Sequence, residues 1–142
     1  MNDLFKKIFT YEYHNINISN FKFDNNKIIL NFEDGLYLLN EDGSVKLLTQ
    51  PISMTISLDV YYGTIQNFVE IWNSTVDNIT IKDFSKKFKK QIFIIDKLFF
   101  SLFDKTILIE GLFEKDKKII NGIPQKTLII ISDCTNVDFS YK

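Results

Sequence analysis

Strict alternation of apolar and polar residues is the feature that most limits what this chain can fold into. From Ile52 to Val60 every even position is apolar and every odd position is polar. Side chains on a β-strand point alternately to its two faces, so this segment predicts a strand with one buried face and one solvated face. A shift of one residue in pairing would reverse both faces, and the register is therefore well specified.

The same period of two recurs on both sides of this segment. Before it, apolar pairs such as Ile16 and Ile18 are separated from later ones by turns rich in Asp, Asn and Gly, which favour short antiparallel hairpins. These turns lie at residues 24–26, 33–35 and 41–44. After it, strands are predicted at residues 106–113 and from residue 128 through residue 139, around a polar turn at residues 116–118.

Three segments have helical spacing instead. They are the opening residues 2–9, the segment 65–72, and a longer segment that begins near Asp83, while residues 75–81 return to strand-like alternation. In the longer segment, apolar residues from Phe84 to Phe103 recur in steps of three and four, which predicts one apolar stripe along a helix. Residues 92–103 are also rich in Ile and Phe, so this part is equally consistent with a strand.

Together these patterns predict a single α+β domain over residues 1–142. It is mainly β, with an antiparallel meander sheet, partly closed or sandwich-like, and one to three short helices packed on it. A composition of 45% hydrophobic and 25% charged residues is that of an ordinary globular domain. A chain of 142 residues buries enough surface to stabilise a core without disulfides or metals.

Composition also excludes several kinds of chemistry. The chain contains no arginine, so bidentate clamps on phosphate and arginine-finger phosphoryl transfer are not available to it. Its five glycines are far apart, so neither a dinucleotide-binding fingerprint nor a phosphate-binding loop can be written. We therefore expect no nucleotide-dependent enzyme and no cofactor.

Cysteine usage and hydropathy predict a cytoplasmic protein. Cys134 is the single cysteine, which rules out an internal disulfide and favours a reducing compartment. The richest apolar stretch, residues 92–103, is interrupted by Asp96 and Lys97 and is shorter than the roughly 20 residues that span a bilayer. We expect neither a signal peptide nor a transmembrane segment.

The single histidine and the single cysteine limit the enzymatic alternatives. A His14–Cys134 pair is the sharpest of these, yet the residues around both match no nucleophile motif, and a lone cysteine is more often a small buried side chain. One histidine and one cysteine cannot form a zinc site, and we expect no metal. The pairing of the 18 carboxylates in space is not readable from the sequence, so a catalytic carboxylate pair stays open.

Charge is distributed unevenly along the chain. Residues 1–80 carry five lysines and ten carboxylates, and residues 81–142 carry twelve lysines and eight carboxylates. The lysine-rich segment 82–90 alternates cations with aromatic residues, a pattern that suits single-stranded nucleic acid or a membrane surface but is more often a solvated helix face. With a net charge of −1 we expect no binding of nucleic acid.

The tail of the chain resembles that of a known kind of protein. Residues 128–139 read as a strand that runs into Asp133-Cys134 and then into another strand of alternating apolar residues. This resembles the ends of small bacterial β-proteins, some of which are immunity proteins of contact-dependent or polymorphic toxin systems, and the pattern covers residues 16–60 and 106–139. The resemblance implies a non-enzymatic domain that binds and neutralises a cognate protein toxin, such as a basic nuclease domain.

If the chain is such a binder, acidic residues at turns and neighbouring tyrosines are the natural contacts. The predicted partner-binding residues are Glu33, Asp34, Tyr37, Glu41, Asp42, Asp59, Tyr61 and Tyr62. The alternative is a structural or assembly module that self-associates through its Phe-rich segment 92–103, provided that part of this segment stays exposed.

Overall fold

The computed structural model describes residues 3–73, 77–116, 119–120, 123–124 and 126–141. Two short α-helices lie in these ranges, α1 (Asp3–Lys6) and α2 (Ile81–Lys86), with single 3₁₀ turns at Lys7–Thr10, Ile65–Phe68, Lys87–Lys89 and Glu114–Asp116. The described strands are β1 (Tyr11–Glu12), β2 (Asn17–Ile18), β3 (Asn20–Asp24), β4 (Lys27–Phe32), β5 (Tyr37–Leu39), β6 (Val45–Leu48), β7 (Ile52–Leu58), β8 (Val69–Asn73), β9 (Asp77–Ile79), β10 (Phe93–Ser101), β11 (Thr106–Phe113), β12 (Ile119–Ile120), β13 (Ile123–Pro124), β14 (Thr127–Ile131) and β15 (Cys134–Tyr141).

These strands form two larger antiparallel sheets, neither of which closes into a barrel. The six-stranded sheet has the order β2-β10-β11-β14-β8-β9, and the four-stranded sheet has the order β15-β7-β4-β3. A three-stranded sheet, β1-β5-β6, and the short pair β12-β13 account for the other described strands. The predicted fold class, mainly antiparallel β with a few short helices, is confirmed.

One hydrophobic core joins the two larger sheets. Its fully buried members include Ile28 and Ile56 from the four-stranded sheet and Ile109 and Ile129 from the six-stranded sheet. Helix α2 adds Phe84, whose ring centroid lies between 5.1 and 5.8 Å from those of Phe21, Phe88, Phe93 and Phe113. Each such side chain contributes roughly 1.5–3 kcal/mol by burial, so this shared core is what holds the two sheets together.

The segment with strict alternation is β7, an inner strand of the four-stranded sheet. Its apolar side chains, Ile52, Met54, Ile56 and Leu58, are all buried, as the alternation predicts. The opposite face is less solvated than predicted, because Ser53 is also buried and donates its hydroxyl to Oδ1 of Asn31 at 2.7 Å. The strands β4 and β15 flank β7 on both sides and supply such polar partners.

Residues 93–101 form a strand, which decides between the helix and the strand that the sequence left open for residues 92–103. β10 (Phe93–Ser101) pairs with β11 (Thr106–Phe113) along its whole length, with a bulge between Ile95 and Lys97. β11 follows β10 after a turn of only four residues, and its backbone groups form hydrogen bonds with those of this Ile- and Phe-rich segment. A helix over the same residues would leave β11 without this partner. The end of the predicted stripe is accordingly exposed, at 57% for Phe99 and 97% for Phe103.

Three further predictions have different outcomes. Residues 65–72 form a 3₁₀ turn followed by β8 rather than a helix, because β8 pairs with β14. The two strands predicted within residues 128–139 are β14 and β15, which lie in different sheets and are divided at Asp133, whose φ is 54°. Residues 75–76 of the predicted alternation and residues 117–118 of the predicted turn lie outside the described residues.

Strand β7 runs from one end of the molecule to the other. After its last residue, the amide of Asp59 donates to the carbonyl of Asp133 at 2.9 Å, and we call this side the Tyr61 end, after the loop that follows. At its first residue, Ile52 pairs with Phe32 and Tyr141, and we call this side the Tyr37 end. A strand of seven residues is about 20 Å long, which sets the distance between the two ends.

Candidate functional site

The eight predicted partner-binding residues are divided between the two ends. Asp59, Tyr61 and Tyr62 follow β7 and lie at the Tyr61 end, and all three are exposed. The other five lie at the Tyr37 end, in the turn after β4 or on the β5–β6 hairpin, and are also exposed; they are Glu33, Asp34, Tyr37, Glu41 and Asp42. The structure therefore brings together two separate groups rather than one surface.

The two tyrosines at the Tyr61 end form an aromatic cluster with a buried phenylalanine. Tyr61 is 65% exposed and Tyr62 is 54% exposed, and their ring centroids lie 5.0 Å apart. Each ring also contacts Phe68, at 5.1 and 4.9 Å between centroids, and Phe68 is buried in the core. Contact with Phe68 therefore holds both rings in place, while much of their surface faces solvent.

The loop that carries the tyrosines is held by its own backbone and side chains. Gly63 has a φ of 63°, in the left-handed region that favours glycine. Thr64 and Asn67 form a capping box at the start of the 3₁₀ turn, with the Thr64 amide donating to Oδ1 of Asn67 at 2.9 Å. This arrangement places Phe68 under the two rings.

Carboxylates surround the aromatic cluster. The charge of Asp133, followed by burial and then by Tyr62 and Asp59, raises the pKa of the Tyr61 hydroxyl above its usual value. The largest of these causes is the negative charge of Asp133, which disfavours a second negative charge on the Tyr61 hydroxyl. The Tyr61 end therefore combines exposed aromatic rings with negative charge.

An open groove lies beside this cluster, between the β3–β4 turn and the loop after β7. It has a volume of about 600 Å³ and is lined by Phe23, Asp24, Asn25, Asn26, Val60, Gly63, Thr64 and Ile65. The sequence predicted the 24–26 hairpin turn but not its part in a groove, since the loop that faces it comes from more than thirty residues later.

At the Tyr37 end, the predicted acidic residues are largely engaged in holding turns. Nδ2 of Asn17 donates to Asp34 at 3.2 Å. Asp42 accepts hydrogen bonds from the side chain and backbone of Ser44, and these lower the pKa of the Asp42 carboxyl. These contacts give Asp34 and Asp42 structural roles, and a role of this group in binding stays a prediction.

Apolar side chains are also exposed at the Tyr37 end. Tyr37 is opposite Leu48 on the neighbouring strand, and Leu47, Leu48 and Tyr141 border a shallow depression. β6 is an edge strand, but Lys46 is the extra residue of a bulge between the pairs Leu38–Leu47 and Leu39–Val45. A charged residue in a bulge hinders the pairing of another strand with this edge.

The hypothetical His14–Cys134 pair is not assembled. The ring of His14 is bonded through Nδ1 to the carbonyl oxygen of Asp96 at 2.8 Å, whereas the thiol of Cys134 is buried and lies 3.5 Å from the carbonyl oxygen of Ile131. Burial raises the pKa of Cys134 to about 12, so the thiol stays protonated at neutral pH. A nucleophilic cysteine activated by this histidine does not fit the arrangement.

Three further features concern metal ligands, ion pairs and membrane-spanning helices. Within the described ranges, no group of three His, Cys, Asp or Glu side chains is placed to hold a metal ion. The largest charged cluster in those ranges is an ion-pair network in which Nζ of Lys126 lies 2.7 Å from Asp96 and 3.1 Å from Glu110. Among the helices that the structure describes, none is both long and apolar enough to cross a membrane.

Sequence reasoning missed the turn between β10 and β11, although it considered that part of segment 92–103 stays exposed. Leu102 and Phe103 lie in this turn, with their side chains largely in solvent. Ser101 accepts a hydrogen bond from the amide of Asp104 at 3.2 Å, and the amide of Cys134 donates to the carbonyl of Lys105 at 2.9 Å, which fixes the turn at the Tyr61 end. The four polar or charged residues at 101, 104, 105 and 106 were the available signal for a turn there.

No protein family, curated protein or solved structure matches this chain. The inference of function therefore depends on the geometry of the two ends.

Proposed function

We propose that this chain is a non-enzymatic protein-binding domain and that its Tyr61 end is the binding surface. The observation that carries the proposal is the pair of exposed rings, Tyr61 and Tyr62, held against buried Phe68. In its most concrete form, the proposal is that the chain is an immunity protein, which neutralises a bacterial toxin by stoichiometric binding.

The aromatic cluster suits a binding surface for an energetic reason. A tyrosine ring supplies a large contact area and has only two side-chain torsions to lose on binding. Because both rings already contact Phe68, part of that freedom is lost in the free protein, and less remains to be lost in the complex. Exposed aromatic residues of this kind often account for most of the energy of a protein interface.

The charge around the cluster indicates the chemistry of the partner. Asp59 and Asp133 lie beside Tyr61, and a negative surface attracts a positive one over a distance of about one Debye length. Such attraction speeds association and selects against acidic partners. We therefore expect a partner with a basic surface, and the basic cleft of a nuclease toxin has this character.

The test begins with a tagged pull-down from the native cell at low and high salt, with the bound protein identified by mass spectrometry. The purified partner is then titrated against the wild-type chain, a Tyr61→Ser/Tyr62→Ser double variant and a matched control, Tyr141→Ser. Tyr141 is 61% exposed but lies at the Tyr37 end. Loss of a pair of interface anchors should raise the Kd by about thirtyfold or more, while the control stays near wild type.

Two results would overturn the proposal. One is a partner whose affinity is unchanged in the Tyr61→Ser/Tyr62→Ser variant, and the other is binding that does not weaken with salt. The immunity role has its own readout, because co-expression of the chain with the captured toxin domain should restore growth. Growth that stays arrested despite tight binding would leave a protein-binding domain without that role.

A second candidate function is self-assembly, favoured by the exposed residues of the Phe-rich segment. Phe99, Leu102 and Phe103 are all exposed and lie within five positions of one another along β10 and its turn. A cluster of exposed large apolar side chains is typical of an interaction surface.

Sedimentation equilibrium of the purified chain tests this candidate. Self-association predicts a mass that rises with concentration and returns to that of a monomer in Phe103→Ser, whereas Leu48→Ser, an exposed apolar position at the Tyr37 end, leaves it unchanged. A monomeric mass at every concentration would remove self-assembly as a function.

A further inference from the structure

The groove at the Tyr61 end has the chemistry of a site for one long cationic side chain. We propose that it binds an arginine side chain of the protein partner, an inference that rests on the proposed function and specifies what the partner must contribute. The groove lies between the β3–β4 turn and residues 60–65, so both of its walls belong to the surface that carries the tyrosines.

One part of the groove is apolar. Phe23 is partly exposed, Val60 is half-buried, and Ile65 is buried at its base. An arginine side chain carries three methylene groups before its charged head, and these pack against apolar surface while the head stays near water. The volume of about 600 Å³ accommodates such a side chain together with water.

The other part of the groove is polar and negative. Oδ1 of Asp24 accepts a hydrogen bond from the amide of Asn25 at 2.8 Å, and Asn25 and Asn26 line the groove beside it. Lys27 is opposite Asp24 in the hairpin register, yet among the described residues no ammonium group forms an ion pair with this carboxylate. The carboxylate is therefore available to a cation from outside the chain.

The geometry of its charged group favours arginine over lysine as the occupant. The planar guanidinium donates to a carboxylate through two N–H groups in a fixed fork, whereas the lysine ammonium is a point charge without that fork. This chain contains no arginine, so a second copy cannot supply the occupant. An external basic protein is thus the occupant that the groove favours.

The test is an NMR titration of the full-length ¹⁵N-labelled chain with the peptide acetyl-Gly-Arg-Gly-amide. We expect saturable shifts of the amides of residues 23–26 and 60–65, with a Kd in the millimolar range because a single exposed ion pair contributes little. The same peptide with citrulline, which is neutral and of similar shape, should bind about threefold to fivefold more weakly, and so should the arginine peptide to Asp24→Asn. The matched control Glu12→Gln, an exposed carboxylate opposite Tyr37 that also accepts the amide of the next residue, should bind as wild type does.

Several outcomes would overturn the inference. Equal binding of the citrulline or lysine peptide would remove the assignment to arginine, and shifts spread over the Tyr37 end would remove the groove as the site. Failure of the groove is distinguishable from failure of the proposed function, because the latter is read from the Tyr61→Ser/Tyr62→Ser variant and the protein partner. If that variant still binds the partner and the peptide still binds saturably in the groove, the proposed function is rejected and the assignment of the groove stands.

Discussion

Replacement of Gly63 by alanine tests how the loop presents Tyr61 and Tyr62. At a φ of 63°, a residue with a Cβ is strained, and the added Cβ would overlap Oδ1 of Asn67. That oxygen accepts the Thr64 amide at 2.9 Å. Asn67 must therefore rotate away, and the capping hydrogen bond is lost with it.

The magnitude follows from these two terms. The left-handed conformation costs a residue with a Cβ about 1–2 kcal/mol, and the loss of a cap costs about 1 kcal/mol. Gly63→Ala should therefore lower the free energy of unfolding by about 2–3 kcal/mol. Gly43→Ala is the matched control, because its φ is 87° and an added Cβ there meets nothing within 4 Å. Only the conformational term applies to the control, so it should lose about 1–2 kcal/mol.

Urea unfolding of the wild type and the two variants measures the difference, which should be about 1 kcal/mol. A further variant isolates the cap: Asn67→Ala should cost about 1 kcal/mol in the wild type and almost nothing once Gly63→Ala is present. Equal losses in Gly63→Ala and Gly43→Ala would refute the reasoning, and so would an undiminished effect of Asn67→Ala in the Gly63→Ala background.

Three further predictions concern the core and the charged network. Phe84→Ala should lower the free energy of unfolding by about 3–5 kcal/mol, because Phe84 is fully buried among four other rings; a loss below about 1 kcal/mol in urea would contradict this. Cys134 should resist thiol reagents in the folded state and react after unfolding, since burial raises its pKa to about 12; rapid labelling of the native protein would contradict its burial. The hydrogen bond from Lys126 lowers the pKa of the Asp96 carboxyl, so its stabilisation is present above the unfolded pKa and is lost as the pH falls through the folded one. Asp96→Asn should therefore destabilise the protein near neutral pH, and its difference from wild type should shrink as the pH falls below the ordinary pKa of an aspartate. A loss in urea unfolding that stays constant over this pH range would exclude the linkage.

Local pattern was a good guide where a short segment determines its own pairing. The alternation from Ile52 correctly predicted the buried face of β7, and the Asp24-Asn25-Asn26 turn correctly predicted the β3–β4 hairpin. It was a poor guide at residues 92–103, where helical and strand periods coincide and the pairing with β11 decides between them. The spacing of apolar residues within one segment does not show which neighbouring strand forms hydrogen bonds with its backbone.

The candidate site was predicted in part. Asp59, Tyr61 and Tyr62 were singled out from the sequence, and the structure places them together beside Asp133. Their separation from the predicted group at Tyr37 could not be read from the chain, because it depends on the antiparallel pairing of β4 with β7, which places the turn after β4 beside the start of β7. The groove was missed for a similar reason, since residues 23–26 and 60–65 meet only through the pairing of β4 with β7.

The sequence by itself determined the fold class and the turns, because side-chain period and turn residues are local properties. It also excluded chemistry that depends on arginine, because the lack of arginine is a property of composition. Tertiary structure alone decided that Cys134 is buried, that His14 contacts Asp96 and that Phe103 projects into solvent. It also placed Asp59 and Asp133 beside exposed rings, and Asp34 and Asp42 in hydrogen bonds at turns. These are properties of contacts between residues distant in the chain, and such contacts are set by how the two sheets close over one core.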